Sequence, residues 1–354
     1  MAISIQPDRY ISSLTGLRAV AAYLVFLHHY NPASPGTLAH RVFDQGYIGV
    51  TVFFVLSGFL IYHRYADDYF RQKNWSWRRY LQNRFARIYP LYALLLLITV
   101  GVTTWRGYPI PLSVFSLNVT LLKGFFDTYK FSGVAQTWSL TVEVCFYLMA
   151  PLLFLLLRRW GPFWLTAGLV GTGVVLWATG GQLTYYGVFG TLPFVFFYTF
   201  FGRGFEFVVG MWLARRWHQD RLPAIRYPTL AGVLILLGCV GWQAGLSYFT
   251  VDPVQILWSE IVVYNILLPI GIGLFFLRLI TQPSVAGRLL THPLMQVLGR
   301  SSYAFYLIHT GIAASALQRI GVENNGLRFI LLVTLACVVY YLIEKPLHRL
   351  FRAD

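Results

Sequence analysis

The feature that most constrains this chain is the recurrence of long apolar runs broken by short clusters of arginine and lysine. Residues 91–102, 151–157, 230–240 and 330–342 are such runs. The chain has 354 residues, of which 57% are hydrophobic and only 12% charged. A soluble domain carries about 25% charged residues. So few charges cannot dress the surface of a water-soluble enzyme, and so much apolar sequence excludes disorder. A helix needs roughly 20 apolar residues to cross a bilayer. The sequence therefore predicts an all-α, polytopic integral membrane protein.

About ten transmembrane spans are expected, near residues 17–33, 46–63, 88–105, 138–157, 162–179, 193–214, 228–246, 258–278, 301–318 and 327–343. Alternate gaps then collect the basic residues, 21 of the 28 on one side and six on the other, with Arg203 inside a span. Cytoplasmic loops carry the excess of Lys and Arg, so both termini are expected in the cytoplasm. The net charge of +15 is this same asymmetry, and no nucleic-acid partner is expected. His28 and His29 interrupt the first apolar run, which argues against a cleaved signal peptide. Cys145, Cys239 and Cys337 are widely spaced within apolar runs, so no metal, disulfide or redox motif is expected. No linker or internal repeat divides the sequence, and residues 1–354 read as one domain.

Ionisable groups inside the hydrocarbon region are costly and mark function by default. Those expected there are His29, Glu143, Arg203, Glu206, Glu260 and His309. At about 1.5 Å per helical residue, His29 lies about 16 Å beyond Arg18 and Glu143 about 22 Å before Arg158. Glu206 precedes Arg215, and His309 follows Arg300, by about 14 Å each. These groups are expected in one band near the midplane, able to line a single cavity. Glu260 falls near the outer end of its span. His28 and His29 point about 100° apart on a helix, so one of them faces the cavity. Arg203 and Glu206 are three residues apart on one helix face and read equally as a structural ion pair or as substrate-binding groups. Arg84 and Arg87 are expected at the cytoplasmic mouth of the third span, as orientation signals or as an anion grip. There is no GxxxxGK[ST] and no GxSxG, so neither a nucleotide-driven pump nor a serine hydrolase is indicated.

Seven stretches, in order from residue 15 to 346, resemble the membrane acyltransferase 3 family. Thr15-Gly16-Leu17-Arg18-Ala19 followed by His29 is similar to its Arg-x10-His signature. Residues 49–59, GVTVFFVLSGF, resemble its second-span stretch, and Arg84-Phe85-Ala86-Arg87-Ile88-Tyr89-Pro90 its RxxRIxP motif. Trp138-Ser139-Leu140-Thr141-Val142-Glu143 is similar to its WSLxxE element. Residues 203–210, 302–309 and 344–346 match the remaining three.

The resemblance implies a family core of ten spans in a bacterial cytoplasmic membrane. It also implies transfer of an acyl group, typically acetyl, from cytoplasmic acetyl-CoA to a hydroxyl of a cell-surface glycan, glycolipid or glycan precursor, with no metal. Some family members carry an appended SGNH-type domain. None is expected here, so a separate extracytoplasmic partner remains open. In this reading His29 is the general base or transient acyl carrier, since a neutral imidazole suits either task. Glu143 orients it or accepts its proton. Arg18, Arg84 and Arg87 take the phosphates of the donor, for which the guanidinium fork is well shaped. Arg203, Glu206, Tyr303, Tyr306 and His309 are candidates for substrate contact, with packing the alternative for both tyrosines. A transporter or flippase for a lipid-linked glycan is the rival, because it too needs a polar cavity at mid-depth.

Overall fold

The computed structural model describes residues 10–72, 75–181, 187–249 and 252–353. Arg9 and Lys73, both counted in the charge asymmetry, lie outside the described residues. The described residues are helical, with no strand beyond an isolated antiparallel bridge between Phe126 and Val188. In chain order the helices are α1 (Ser12–His29), α2 (Leu38–Asp44), α3 (Ile48–Arg71), α4 (Trp77–Trp105), α5 (Leu112–Val119) and α6 (Trp138–Gly180). There follow α7 (Leu192–Tyr198), α8 (Phe200–His218), α9 (Pro228–Phe249), α10 (Pro253–Val262), α11 (Leu268–Thr281) and α12 (Val285–Thr291). The last are α13 (Pro293–Arg300), α14 (Ser302–Ile308), α15 (Ile312–Arg319), α16 (Asn325–Val339) and α17 (Lys345–Phe351).

Among the described residues, seven helical stretches are long and apolar enough to cross a membrane. The difference from the expected ten has local causes. Spans 138–157 and 162–179 form one continuous element, α6, broken at Gly161, whose φ of 78° and ψ of 176° are not helical. Gly161 supplies the left-handed φ, and Pro162, with φ fixed and no N–H to donate, restarts the helix. Span 301–318 is split by His309, Thr310 and Gly311 into two short helices, α14 and α15, with φ of 75° at Gly311. α1 is helical over 18 residues but carries Arg18, His28 and His29, which lower its apolar character.

Two boundaries move functional candidates. α1 ends at His29, four residues before the expected end of its span. Tyr30 leaves the helical region at φ −125° and ψ 58°, and Asn31 precedes Pro32, which disfavours helix at the residue before it. His29 therefore closes its helix rather than sitting in mid-span. α4 begins eleven residues before the expected span, where the Ser76 hydroxyl accepts from the Arg79 amide at 3.3 Å. Arg84 and Arg87 are thus two to three turns inside α4.

Two wide helical turns follow a shared rule. Val263–Leu267 and Tyr340–Glu344 are π-turns, and each is followed two residues later by a proline, Pro269 and Pro346. A proline ring clashes with the carbonyl four residues back, here Asn265 and Leu342, and removes a donor from the ladder. The backbone widens to accommodate both effects.

The chain forms two compact units. Residues 1–75, 149–171 and 202–299 make the first; residues 76–148, 172–201 and 300–354 make the second. In the first, α3 packs closely on α8. An added Cβ at Gly58 would lie 2.2 Å from the Phe207 carbonyl oxygen, and one at Gly210 would lie 2.1 Å from that of Val55. Small residues at such crossings let two backbones approach and gain van der Waals contact where no hydrophobic drive exists between lipid-solvated helices. In the second, the loop before α6 and the loop after it are stitched together. Asp127 N–H donates to the Gly187 carbonyl at 2.8 Å and Phe189 N–H to that of Phe125 at 3.1 Å.

Candidate functional site

The first unit holds Arg18, His29, Arg203 and Glu206. The adjacent histidines at the end of α1 have different fates. His28 is half-buried, its Nδ1 2.7 Å from the Asp44 carbonyl oxygen and its ring edge-on to Tyr47. His29 is exposed. The segment Asn31–Asp44, which includes α2, is itself braced, since the Asn31 amide donates to the His40 carbonyl at 2.7 Å and to Asp44 Oδ1 at 2.9 Å. The backbone that holds His28 is therefore fixed by side chains that follow α1, and His28 is occupied as a strut. Arg18 is half-buried on the same helix, eleven residues away.

Arg203 and Glu206 form a closed ion pair on α8. Arg203 Nη2 lies 2.9 Å from Glu206 Oε1, and Arg203 Nε donates to Glu206 Oε2 at 3.2 Å. Nη2 also donates to the Thr51 hydroxyl at 3.1 Å, and the guanidinium stacks 5.5 Å from the Phe54 ring centre. Their side chains are 3% and 0% exposed, so the charges are sealed among α3 and α8. The two side chains thus bond each other within this unit.

The second unit gathers Arg84, Arg87, Glu143, Tyr303, Tyr306 and His309. Glu143 accepts a hydrogen bond from the Tyr147 hydroxyl one helical turn away. The Arg84 guanidinium lies 5.8 Å from the centre of that tyrosine ring. Tyr147 is steadied in turn, because Tyr80 donates to its carbonyl at 2.9 Å. Arg87 reaches the last wide turn, with Nη1 2.9 Å from Glu344 Oε1, and lies 6.0 Å from the centre of the Tyr303 ring. Glu344 is 3% exposed and Arg87 23%, so one end of the pair is sealed and the other opens outward. Tyr303 donates to the Ile88 carbonyl at 2.6 Å. α4, α6, α14 and the turn before α17 thus place two arginines, two carboxylates and two tyrosines in one polar cluster.

A second cluster surrounds the break after α14. The Gln136 amide donates to the Tyr306 and Leu307 carbonyls at 3.1 and 2.6 Å, and its oxygen accepts from Thr310 at 2.8 Å. The Tyr306 hydroxyl is 2.8 Å from that of Ser139. His309 is fully buried, with Nδ1 2.8 Å from the Tyr306 carbonyl oxygen. The helix can stop here because a buried amide satisfies carbonyls that lose their helical donors.

Glu344, Tyr147 and Gln136 were not among the candidates drawn from the sequence. Glu344 falls one residue beyond the last expected span, although a carboxylate at the end of an apolar run was a usable signal. Tyr147 follows the Trp138–Glu143 motif as part of the Phe146-Tyr147 pair that goes with it in the family, whereas Gln136 precedes the motif without any pattern of its own.

The acyltransferase-domain family matches residues 11–345. The chain belongs to this acyltransferase family. It is 24% identical over 96% of its length to the peptidoglycan O-acetyltransferase OatA of Listeria monocytogenes, covering 56% of that protein. It is 27% identical over 97% of its length to the putative peptidoglycan O-acetyltransferase YrhL of Bacillus subtilis, covering 55% of it. The O-acetyltransferase OatA of Staphylococcus aureus is 24% identical over 96% of the chain, with 58% of that protein covered. The chain thus spans little more than half the length of these curated relatives. No solved structure matches it.

Proposed function

We propose that this protein is a membrane O-acetyltransferase of the bacterial cytoplasmic membrane that moves an acetyl group from cytoplasmic acetyl-CoA to a hydroxyl of a cell-surface glycan. The membership of residues 11–345 in the acyltransferase family carries the reading, and the relatives named for peptidoglycan O-acetylation favour a glycan acceptor. Ten crossings with both termini in the cytoplasm go with it, as the charge asymmetry argues.

His29 is the general base. Its imidazole takes the proton of the acceptor hydroxyl as that oxygen bonds to the acetyl carbonyl carbon. Collapse of the tetrahedral adduct breaks the carbon–sulfur bond, and the thiol leaves with the proton returned from His29. The exposure of His29 beside an occupied His28 supports this assignment. Arg18, Arg84 and Arg87 hold the phosphates of the donor. Arg87 keeps several of its five donors beyond the one given to Glu344, so it can serve an anion and the pair together. Glu143, held by Tyr147, serves proton handling.

The test is transfer of label from radiolabelled acetyl-CoA to a soluble saccharide by the purified protein in liposomes. Label in the saccharide, lost with His29→Ala, is the expected result. A wild-type protein that moves glycan across the bilayer without acetylating it would establish the transporter reading instead.

A further inference from the structure

Both ends of α6 lie in the second unit beside a polar cleft. An added Cβ at Gly124 would touch Thr141 in the first turn of α6, and Gly180 at its end is set against the Val188 carbonyl. Between them runs the stitched loop pair already described. The cleft has a volume of about 370 Å³ and is lined by Asp127, Thr128, Gly181, Gly187, Gly190 and Thr191. Trp177 adjoins one wall, its ring 3.5 Å from the position of a Cβ on Gly181.

The chemistry of the cleft is specific. Among the described residues its lining carries one carboxylate, two hydroxyls, three glycine backbones and no cation. Lys130 is bonded to Asp127 Oδ1, which offsets that charge, and is drawn back among rings. Its Nζ is 5.0, 5.6 and 5.1 Å from the centres of Phe131, Phe194 and Tyr198. Thr191 donates to Asp127 Oδ2 at 2.9 Å, which fixes the carboxylate plane while leaving each oxygen a lone pair to accept with. A polyphosphate such as the acyl donor gains nothing from such a lining. A polyol gains the carboxylate as an acceptor for its hydroxyls, the Thr128 hydroxyl as a partner, and an aromatic edge for its ring carbons. Position agrees with this. The ends of α6 are each about 30 Å along the helix from Arg158 and Arg159 at its corner, which the charge asymmetry assigns to the cytoplasm. The cleft therefore opens on the extracytoplasmic side, where a cell-surface glycan is found.

We infer that this cleft binds an uncharged, hydroxyl-rich saccharide segment of the acyl acceptor, an inference that rests on the glycan acceptor proposed above. Two measurements test it. A chito-oligosaccharide bearing a diazirine is photolysed with the wild-type protein and the labelled peptides are mapped. Label on residues 125–130 or 187–191 is expected, and label confined to other segments overturns the inference. In the transfer assay, Thr128→Trp fills the cleft and Asp127→Asn removes its charge. The acceptor KM is expected to rise at least about tenfold in the first and about threefold to tenfold in the second, with the donor KM unchanged. Unaltered acceptor KM in both overturns it. A wild-type protein that is labelled at the cleft yet transfers no acetyl group would retain the binding site and refute the transferase reading. Transfer with labelling elsewhere would do the reverse.

Discussion

The end of α1 and the break after α14 each hold a histidine that the sequence places at similar depth, and the two regions give those side chains opposite circumstances. His29 is the last residue of a helix, exposed, next to a histidine already taken by the Asp44 carbonyl. His309 sits in a gap between two short helices, fully buried, against the Tyr306 carbonyl, within a network pinned by Gln136. The Nδ1 contact of His309 ties its ring to the backbone of the break. An exposed ring at a helix end can be reached by a reactant. The same contrast separates the two arginine–glutamate pairs: Arg203–Glu206 is sealed at both ends, whereas Arg87–Glu344 is open at its arginine.

The largest effect expected is on the histidines. His29→Ala should lower acetyl transfer by about 10²-fold or more, the usual worth of a general base, while leaving acetyl-CoA binding near normal. His28→Ala and His309→Gln should each cost less than about tenfold in turnover, with His309→Gln showing its main effect in thermal unfolding. An inactive His28→Ala enzyme beside an active His29→Ala enzyme would break the comparison at its root.

Next come the sealed and open ion pairs. Arg203→Ala leaves Glu206 buried without its partner and should destabilise the protein by about 3–5 kcal/mol, read from unfolding in detergent. Replacing both, with Arg203→Met and Glu206→Leu, should recover most of that loss and most of the activity. If the stable double variant proved inactive, the pair would be a substrate contact after all. Arg84→Ala and Arg87→Ala should raise the donor KM, each by the worth of a charge-assisted contact, about 1.5–3 kcal/mol. Lysine should restore it only in part where the contact is bidentate. Donor kinetics that ignore both alanines would remove them from the anion grip.

Glu143→Gln keeps the shape of the group that receives the Tyr147 hydroxyl and removes its charge. A substantial fall in turnover with normal membrane insertion is expected; near-normal turnover would reduce the group to packing.

The smallest effect concerns Lys123, between α5 and α6. It is fully buried and donates to the Ser132 and Val134 carbonyls at 2.6 and 2.8 Å. Burial pulls its pKa down from 10.5 to about 7. Between those values the unfolded chain binds more protons than the folded one, so this residue makes stability rise with pH across that window. Lys123→Met should be less stable overall and lack that rise, as unfolding across the same pH range would show. A slope unchanged by the substitution would mean the ammonium is not buried at a cost.

Much of this was legible in the sequence because it is local. Gly161 beside Pro162 marks the corner of α6, the i,i+3 spacing of Arg203 and Glu206 marks a pair, and apolar length marks the helices. Where expectation and structure part, the cause is local chemistry outweighed by average pattern. Pro32 ended α1 inside an apolar run, and the Ser76 cap started α4 before one. The depth estimate for His29 counted rise from Arg18 correctly but assumed helix on both sides of it.

What the sequence alone determined was the material of the fold: a chain too apolar and too sparsely charged for water, cut into helices by proline, glycine and caps, with a handful of ionisable groups kept inside. Those choices act within a few residues and are written in their order. Only tertiary structure decided which of the kept groups are spent on holding the fold. Arg87 and Glu344 are 257 residues apart, Gln136 and Leu307 are 171 apart, and Phe126 and Val188 meet across the whole of α6. No spacing rule reaches that far. Whether a buried charge or amide finds a partner depends on which helices pack together, and that follows from the shape and satisfaction of the assembled interior.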